Sequence, residues 1–430
     1  MKKAIALLLC AVLFVALFGC TSGGTETTAP ETTAAAEPSL SVGFGRVDIS
    51  PRESVPLAGW PNADNRISAS VNEPLYGTCV AMTDGNGTTV LVFHLDLIET
   101  GGSDLPFIRS AVSKATGVPI ENVIFAATHT HSAPKITSTN NLNIQNYMKA
   151  MKTWLVTAAE EAMADRKTAK MYTATAQTEG LNFIRYYLFS NGQVGSGAGE
   201  ETKGLKRLSH HGEPDRSLQM VKFVREGGKD VILFNWQGHP SMDGSQTGTN
   251  VSADIVGAMR TYLEQELDCQ FAYFTGASGN VNNVSFVDKC NSDYKVQGEA
   301  LGQYAVAAAA NFQEQSVGTI RLVKRDFQAT SKTNAAIKTA FGISAFAVGD
   351  VGFVVAPYEM FDSSGVAIKG GSPFATTMVL TCANGGYGYI PSEFAYTCFA
   401  SYEAESSSFA SGTAEALEQE YISMLQELHK

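Results

Sequence analysis

Five short apolar runs, each closed by a cluster of small polar residues, constrain this chain more than any other feature. They are Thr88–Asp96 (TTVLVFHLD), Asn122–Ala127 (NVIFAA), Val231–Trp236 (VILFNW), Gln270–Thr275 (QFAYFT) and Val351–Ala356 (VGFVVA). Each is short, rich in β-branched and aromatic residues, and bounded by turn-forming residues, so each reads as a buried strand. Ser217–Val224 reads as a further strand. Segments with helical periodicity alternate with them: Asp104–Ala115 (stopped by Gly117 and Pro119), Tyr147–Ala164, Ala253–Leu267, Glu299–Phe312 and Thr413–Leu428. The alternation predicts an α/β fold of extended mixed β-sheets covered by helices, forming a single large domain over 41–430. No internal repeat is evident in the sequence. Sites in open α/β sheets lie at the carboxyl ends of strands. The clusters HLDL, THTHS, QGHPSM, TGASGN and PYE are therefore expected to converge on one cleft.

The first forty residues read differently. Lys2 and Lys3 precede an apolar run, Ala4–Phe18, that ends LFGC at Leu17–Cys20. A basic start, an apolar stretch and small residues before a cleavage point define a secretory signal. The run is shorter than the ~20 residues that a spanning helix needs. A cysteine directly after Gly19 resembles a bacterial lipobox, which makes Cys20 the expected lipidation site. Residues 21–40 carry almost no large apolar side chains and are expected to be a disordered tether, since they cannot bury enough surface to offset ordering entropy. The expectation is an exported protein, lipid-anchored to the outer face of a bacterial cell membrane.

Composition excludes some partners. The net charge of −11 argues against nucleic acid, and no Lys/Arg block marks a polybasic lipid site. No protein partner is implied. With 44% hydrophobic and 17% charged residues, the chain can bury a large core. Past Cys10 and Cys20 stand Cys79, Cys269, Cys290, Cys382 and Cys398. Export permits disulfides, with Cys269–Cys290 and Cys382–Cys398 as candidate pairs, but spacing does not set connectivity. There is no CxxC, so a thiolate zinc site is not expected.

The chemistry gathers around NVIFAATHTHSAP. The chain has seven histidines, and two of them, His129 and His131, stand at i, i+2 after an apolar strand. On a strand this spacing puts both imidazoles on one face, where they can hold a metal or move protons. His210 and His211 lie in a charged stretch and read as a solvated loop. His94 and Asp96 share a strand face, which suits either a buried structural pair or support for a metal-bound histidine.

The order of the motifs carries a resemblance. GFGRVDISP (43–51), LAGW (57–60), ATHTHSAP (127–134), NFIR (182–185), NWQGHPSM (235–242), GASGN (276–280), PYEMF (357–361), GYGYIP (386–391) and SYE (401–403) follow one another. This series resembles the catalytic domain of the neutral, non-lysosomal ceramidases, zinc amidases that release fatty acid from N-acylsphingosine. The resemblance implies a Zn2+ cofactor held by His129, His239, Glu359 and Tyr389. It gives His131 a proton-transfer or substrate-orienting role and makes Tyr402 the group that polarises the scissile carbonyl. Arg185 and Ser278 match polar positions on the substrate side. Tyr387, two residues before Tyr389, is the competing phenol. The implied substrate is a lipid or other N-acyl amide, ceramide-like, met at a membrane surface.

Departures from the family pattern touch the substrate mouth more than the metal shell. Pro391-Ser392 replaces the expected threonines, Gly279 stands where Pro is expected, and SAP follows His131 where SGP is usual. The chain ends soon after Glu403, whereas characterised ceramidases continue into a β-sandwich domain. A metallohydrolase of another amide or ester, and a non-enzymatic solute-binding lipoprotein, are the alternatives. A binding protein has no need of His129, His239, Glu359 and Tyr389 at separate strand ends.

Overall fold

The computed structural model describes residues 39–61, 63–197, 202–243 and 248–430. The signal, Cys20 and nearly all of the tether lie outside the described residues. Among the described residues, no helix is long and apolar enough to cross a membrane.

One supersecondary unit occurs three times. In the first, Leu40–Asp48 pairs antiparallel with Tyr76–Asp84, which pairs antiparallel with Thr89–Leu95. The helix Leu105–Thr116 then carries the chain to Val123–Ala127, parallel to Thr89–Leu95, and the helix Leu142–Ala164 follows. In the second unit the strands are Lys167–Gln177, Ser217–Arg225, Val231–Trp236 and Gln270–Thr275, with helices Asp254–Glu266 and Tyr294–Ala308. In the third they are Ile320–Thr330, Lys338–Val348, Val351–Val355 and Thr376–Leu380, with helices Asp362–Gly371 and Thr413–His429. The first two units join into one sheet where Ser41 and Val42 pair with Thr168 and Lys167. The third forms its own four-stranded sheet.

The cores follow this plan. Each unit buries the outer face of its strands under its own helices, around Phe93 and Leu155, around Phe234 and Met259, and around Val354 and Leu425. The inner faces of both sheets share one further core, in which Val92, Ile124, Leu233 and Phe274 meet Phe353 and Leu380. Strands buried on both faces lose period-2 alternation and read as continuous apolar runs. That is why the third and fourth strands of the first two units stood out in the sequence, while half-exposed strands such as Leu40–Asp48 and Ile320–Thr330 did not. The repeat was invisible for a related reason: burial fixes polarity and direction, and many side chains satisfy both.

Two helix starts move because of caps. Asn141 Oδ1 accepts from Ile144 N at 3.1 Å and starts the second helix at Leu142, not Tyr147. Asp293 accepts from Lys295 N and Val296 N and starts the helix Tyr294–Ala308 before the expected Glu299. All five described cysteines are free, so neither candidate disulfide forms. Cys269 lies in the second unit's core, whereas Cys382 faces His129.

Candidate metal centre and cleft

The carboxyl ends of the parallel strands from all three units meet in one place. His129 and His131 follow Val123–Ala127 of the first unit. His239 follows Val231–Trp236 of the second. Glu359 and Tyr389 come from the third, where Glu359 pairs in register with Tyr389 in a short parallel ladder. The unit ends are cross-tied: Thr275 Oγ1 donates to Thr128 O at 2.7 Å, and Thr381 N to Thr275 O at 3.0 Å.

His129 and His131 do not lie on a strand face. The strand stops at Ala127, and His129 takes φ +67°, a left-handed conformation uncommon for a non-glycine residue. The two imidazoles still converge, 5.1 Å apart between ring centroids, but because the backbone turns.

Second-layer hydrogen bonds set the ring orientations. His129 Nδ1 lies 2.7 Å from Ile98 O, and His239 Nδ1 lies 3.2 Å from Ser278 O. Each Nδ1–H donates to a carbonyl, which leaves the Nε2 lone pair aimed inward. The contact that Ser278 makes here is thus through its main chain. His129, His131 and His239 each place a ligand nitrogen within 4.8 Å of the others, and all three are buried. His129 Nε2 and Glu359 Oε2 are 3.2 Å apart, at ion-pair distance, and neither has a well-formed hydrogen bond. Two such atoms facing each other, among imidazoles, a carboxylate and a phenol, suit a metal ion that takes N and O ligands. The three histidines could hold a metal ion by themselves. The resemblance instead draws the set as His129, His239, Glu359 and Tyr389.

Electrostatics differ among the histidines. Burial drives His131 and His239 well below the ordinary imidazole range, and the charges of His129 and Arg185 push them further. For His129 burial acts downward too, but Cys382 and Glu359 outweigh it and raise it well above the usual value. Burial would raise Glu359; His129 and Arg185 hold it below the usual carboxylate value.

Arg185 braces Tyr389. Its Nη2 donates to the Tyr389 hydroxyl at 3.1 Å and to Gly279 O at 2.7 Å, and its Nε donates to Glu403 Oε1 at 2.6 Å. Tyr186 donates to the other oxygen of Glu403 at 2.8 Å. Gly388, at φ +65°, lies between the two tyrosines. Tyr389 joins the cleft; Tyr387 stacks on Phe341 at 4.6 Å, away from the histidines. Tyr402 opens the short helix Tyr402–Ser406, packs edge-on to Tyr389 at 5.8 Å and is 42% exposed, on the mouth of the cleft.

His94 and His210 are structural. His94 Nε2 bonds Asp96 at 2.8 Å, and His94 Nδ1 accepts from Tyr273 N. Asp96 also binds Arg260 at 2.8 Å, so this pair ties two units together and does not support a metal ligand. His210 is not in a solvated loop. It ends the strand Arg207–His210, stacks on Phe183, and bonds Ile184 O at 2.6 Å and Ser285 Oγ at 2.7 Å. His211 is exposed against Phe394.

Several cleft residues had no sequence role. Arg66 is buried and donates to Ala58 O and His131 O, pinning two loops together. Trp60 packs edge-on to His131 at 5.5 Å. Glu403 anchors Arg185, and Glu99 lines a small cavity of about 180 Å³ behind His129 and Glu359. Isolated charged residues without a motif spacing carry no signal for such roles. Trp60 and Glu403 do fall in the quoted LAGW and SYE segments.

The fold and site define a mixed α/β protein with a metal-capable histidine centre at the strand ends. No protein-family model matches the chain, and no curated protein sequence does. Solved structures do. A ceramidase complexed with C2 superposes with a TM-score of 0.75 at 16% identity, covering 91% of this chain and 76% of that one. Neutral ceramidase from Pseudomonas aeruginosa gives 0.73 at 16%, covering 91% and 75%. The chain has the fold of the neutral ceramidases.

Proposed function

We propose that this protein is a neutral ceramidase-type, zinc-dependent amidase that hydrolyses the amide bond of an N-acyl lipid to a fatty acid and an amine, N-acylsphingosine being the reference substrate. The observation that carries this reading is the buried cluster in which His129 Nε2 faces Glu359 Oε2 at 3.2 Å, beside His131 and His239. Zinc held by His129, His239, Glu359 and Tyr389 would supply Lewis acidity toward the amide carbonyl and a water.

The chain's own groups do the rest. The oxygen of water joins the acyl carbon, the C–N bond breaks, and the amine leaves with a proton. His131, a neutral imidazole beside His239, carries that proton from water to the amine nitrogen. The Tyr402 hydroxyl, at the mouth, donates to the oxygen that gains charge. Arg185 keeps the Tyr389 oxygen oriented, and Glu403 keeps Arg185 in place. The lipobox at Cys20 and the polar tether suit a cleft that searches an adjacent membrane surface for its lipid substrate.

Metal analysis coupled to fatty-acid release from N-acylsphingosine tests the reading, on wild type and His129→Ala. Near-stoichiometric zinc and amide hydrolysis in wild type, both lost in the variant, are expected. A folded wild-type protein that takes up no metal, or a loaded one that cleaves no amide, refutes it.

A further inference from the structure

The cleft beside the metal centre has a second wall that the amidase chemistry leaves unexplained. The cavity is about 320 Å³, with His131, His239 and Tyr389 on its lining together with Trp60, Tyr187 and Arg207. Arg207 is clamped between two aromatic faces, 5.4 Å from the Tyr187 centroid and 5.0 Å from that of Phe286. One Nη2 contact to Gly197 O at 2.7 Å fixes its fork. Arg185, the other guanidinium of the cleft, is neutralised by Glu403 at 2.6 Å. Arg207 meets no carboxylate among the described residues, and its buried Nε has no partner.

Two more groups on this lining are in the same state. The Tyr187 hydroxyl is wholly buried and unpartnered, and so is the indole Nε1 of Trp60. Burial pushes the Tyr187 phenol up to about 12, so it stands as a neutral O–H donor at physiological pH. Arginine and tryptophan can only donate. A ligand in this cavity meets, at Arg207, a full positive charge in a planar fork held by Gly197. Such a fork matches the two oxygens of a carboxylate or of a related oxyanion. A neutral diol would bring no counter-charge to Arg207.

We propose that the amide cleaved here carries an anionic group on its polar end, and that Arg207, held between the rings of Tyr187 and Phe286, reads that group. An N-acyl amino acid is the simplest such substrate; a lipid amide with a sulfonate or phosphate headgroup shares the chemistry. The inference rests on the amidase reading and specifies its substrate class. Arg207 selects the substrate and takes no part in the bond-breaking step.

The test compares substrates of matched length on the zinc-loaded protein: N-dodecanoylglycine, N-dodecanoyltaurine and the neutral N-dodecanoylethanolamine, with N-acylsphingosine alongside. Wild type should favour at least one anionic amide over the ethanolamide by ~10-fold or more in kcat/KM, the size of one good charged contact. The better of the glycine and taurine amides distinguishes carboxylate from sulfonate recognition. In Arg207→Gln the anionic-to-neutral ratio should collapse toward one, and Arg207→Lys, charged but without a fork, should recover part of it. Should Arg207→Gln fail to fold, wild type alone decides: added salt should raise KM for the anionic amide and leave that of the ethanolamide unchanged. A wild-type ratio near one, or a ratio unaltered in Arg207→Gln, overturns the proposal while neutral amides are still cleaved. If no amide in the panel is cleaved, the amidase reading fails and takes this inference with it.

Discussion

Gly59→Ala should damage catalysis without touching a metal ligand. Gly59 sits in the LAGW segment at φ +99°, a conformation that L side chains rarely adopt. Alanine there costs about 1–3 kcal/mol in backbone strain. The methyl also collides with a ring. A Cβ on Gly59 would lie 2.5 Å from His131 Cγ and 2.6 Å from Nδ1, about 1 Å inside ordinary contact. The ring cannot simply retreat. Trp60 packs on it, His239 Nε2 is 3.0 Å from its Nε2, and Arg66 holds its carbonyl. The imidazole must therefore move by about 1 Å, a displacement able to cost roughly 100-fold in rate. The expected outcome is a fall in kcat on N-acylsphingosine of about that size and a loss of about 1–3 kcal/mol in urea unfolding. Zinc content should stay at wild-type level, because His129, His239 and Glu359 are not displaced. Activity within about twofold of wild type, with unchanged stability, would refute both the packing argument and the role given to His131.

Three further outcomes follow from other contacts. Glu403→Gln removes the charge opposing Arg185, whose side chain is only 14% exposed, and should cost about 3 kcal/mol in denaturant unfolding, as breaking a buried pair does. Tyr402→Phe should lower kcat by roughly 100-fold while zinc content and fold, read by circular dichroism, stay as in wild type. Asp362 is buried next to Asp215, and burial raises its carboxyl from 3.8 to about 7. A raised folded value means the unfolded chain ionises first, so this group's contribution is complete below pH 3.8 and drains away as pH rises to about 7. The gap corresponds to about 4 kcal/mol at most. Asp362→Asn should flatten that part of the stability profile and be the more stable form at pH 8; parallel profiles for the two proteins would count against it.

What could be read from residues alone divides along physical lines. Val231–Trp236 and Gln270–Thr275 were legible because burial on both faces demands an unbroken apolar run. Cys382 and Glu99 beside His129 were not, since nothing in their neighbouring residues hints at the contact. Position before Ile390 favoured Tyr389 over Tyr387, and only the fold shows that Tyr389 lines the cleft while Tyr387 stacks on Phe341.

The sequence by itself determined the α/β class, the polar clusters at the strand ends, and the family whose motif order it resembles. Local patterning suffices for these because polarity and period are set by which face of an element is buried. Only the tertiary structure decided that three copies of one unit deliver the groups, that His129 turns inward through a left-handed backbone, and that Arg207 lacks a described counter-charge within the cleft. Those outcomes depend on contacts between residues far apart in the chain, such as Glu403 with Arg185 and Gly59 with His131. Distance in space, not neighbourhood in sequence, sets what a buried charge or a close approach must satisfy.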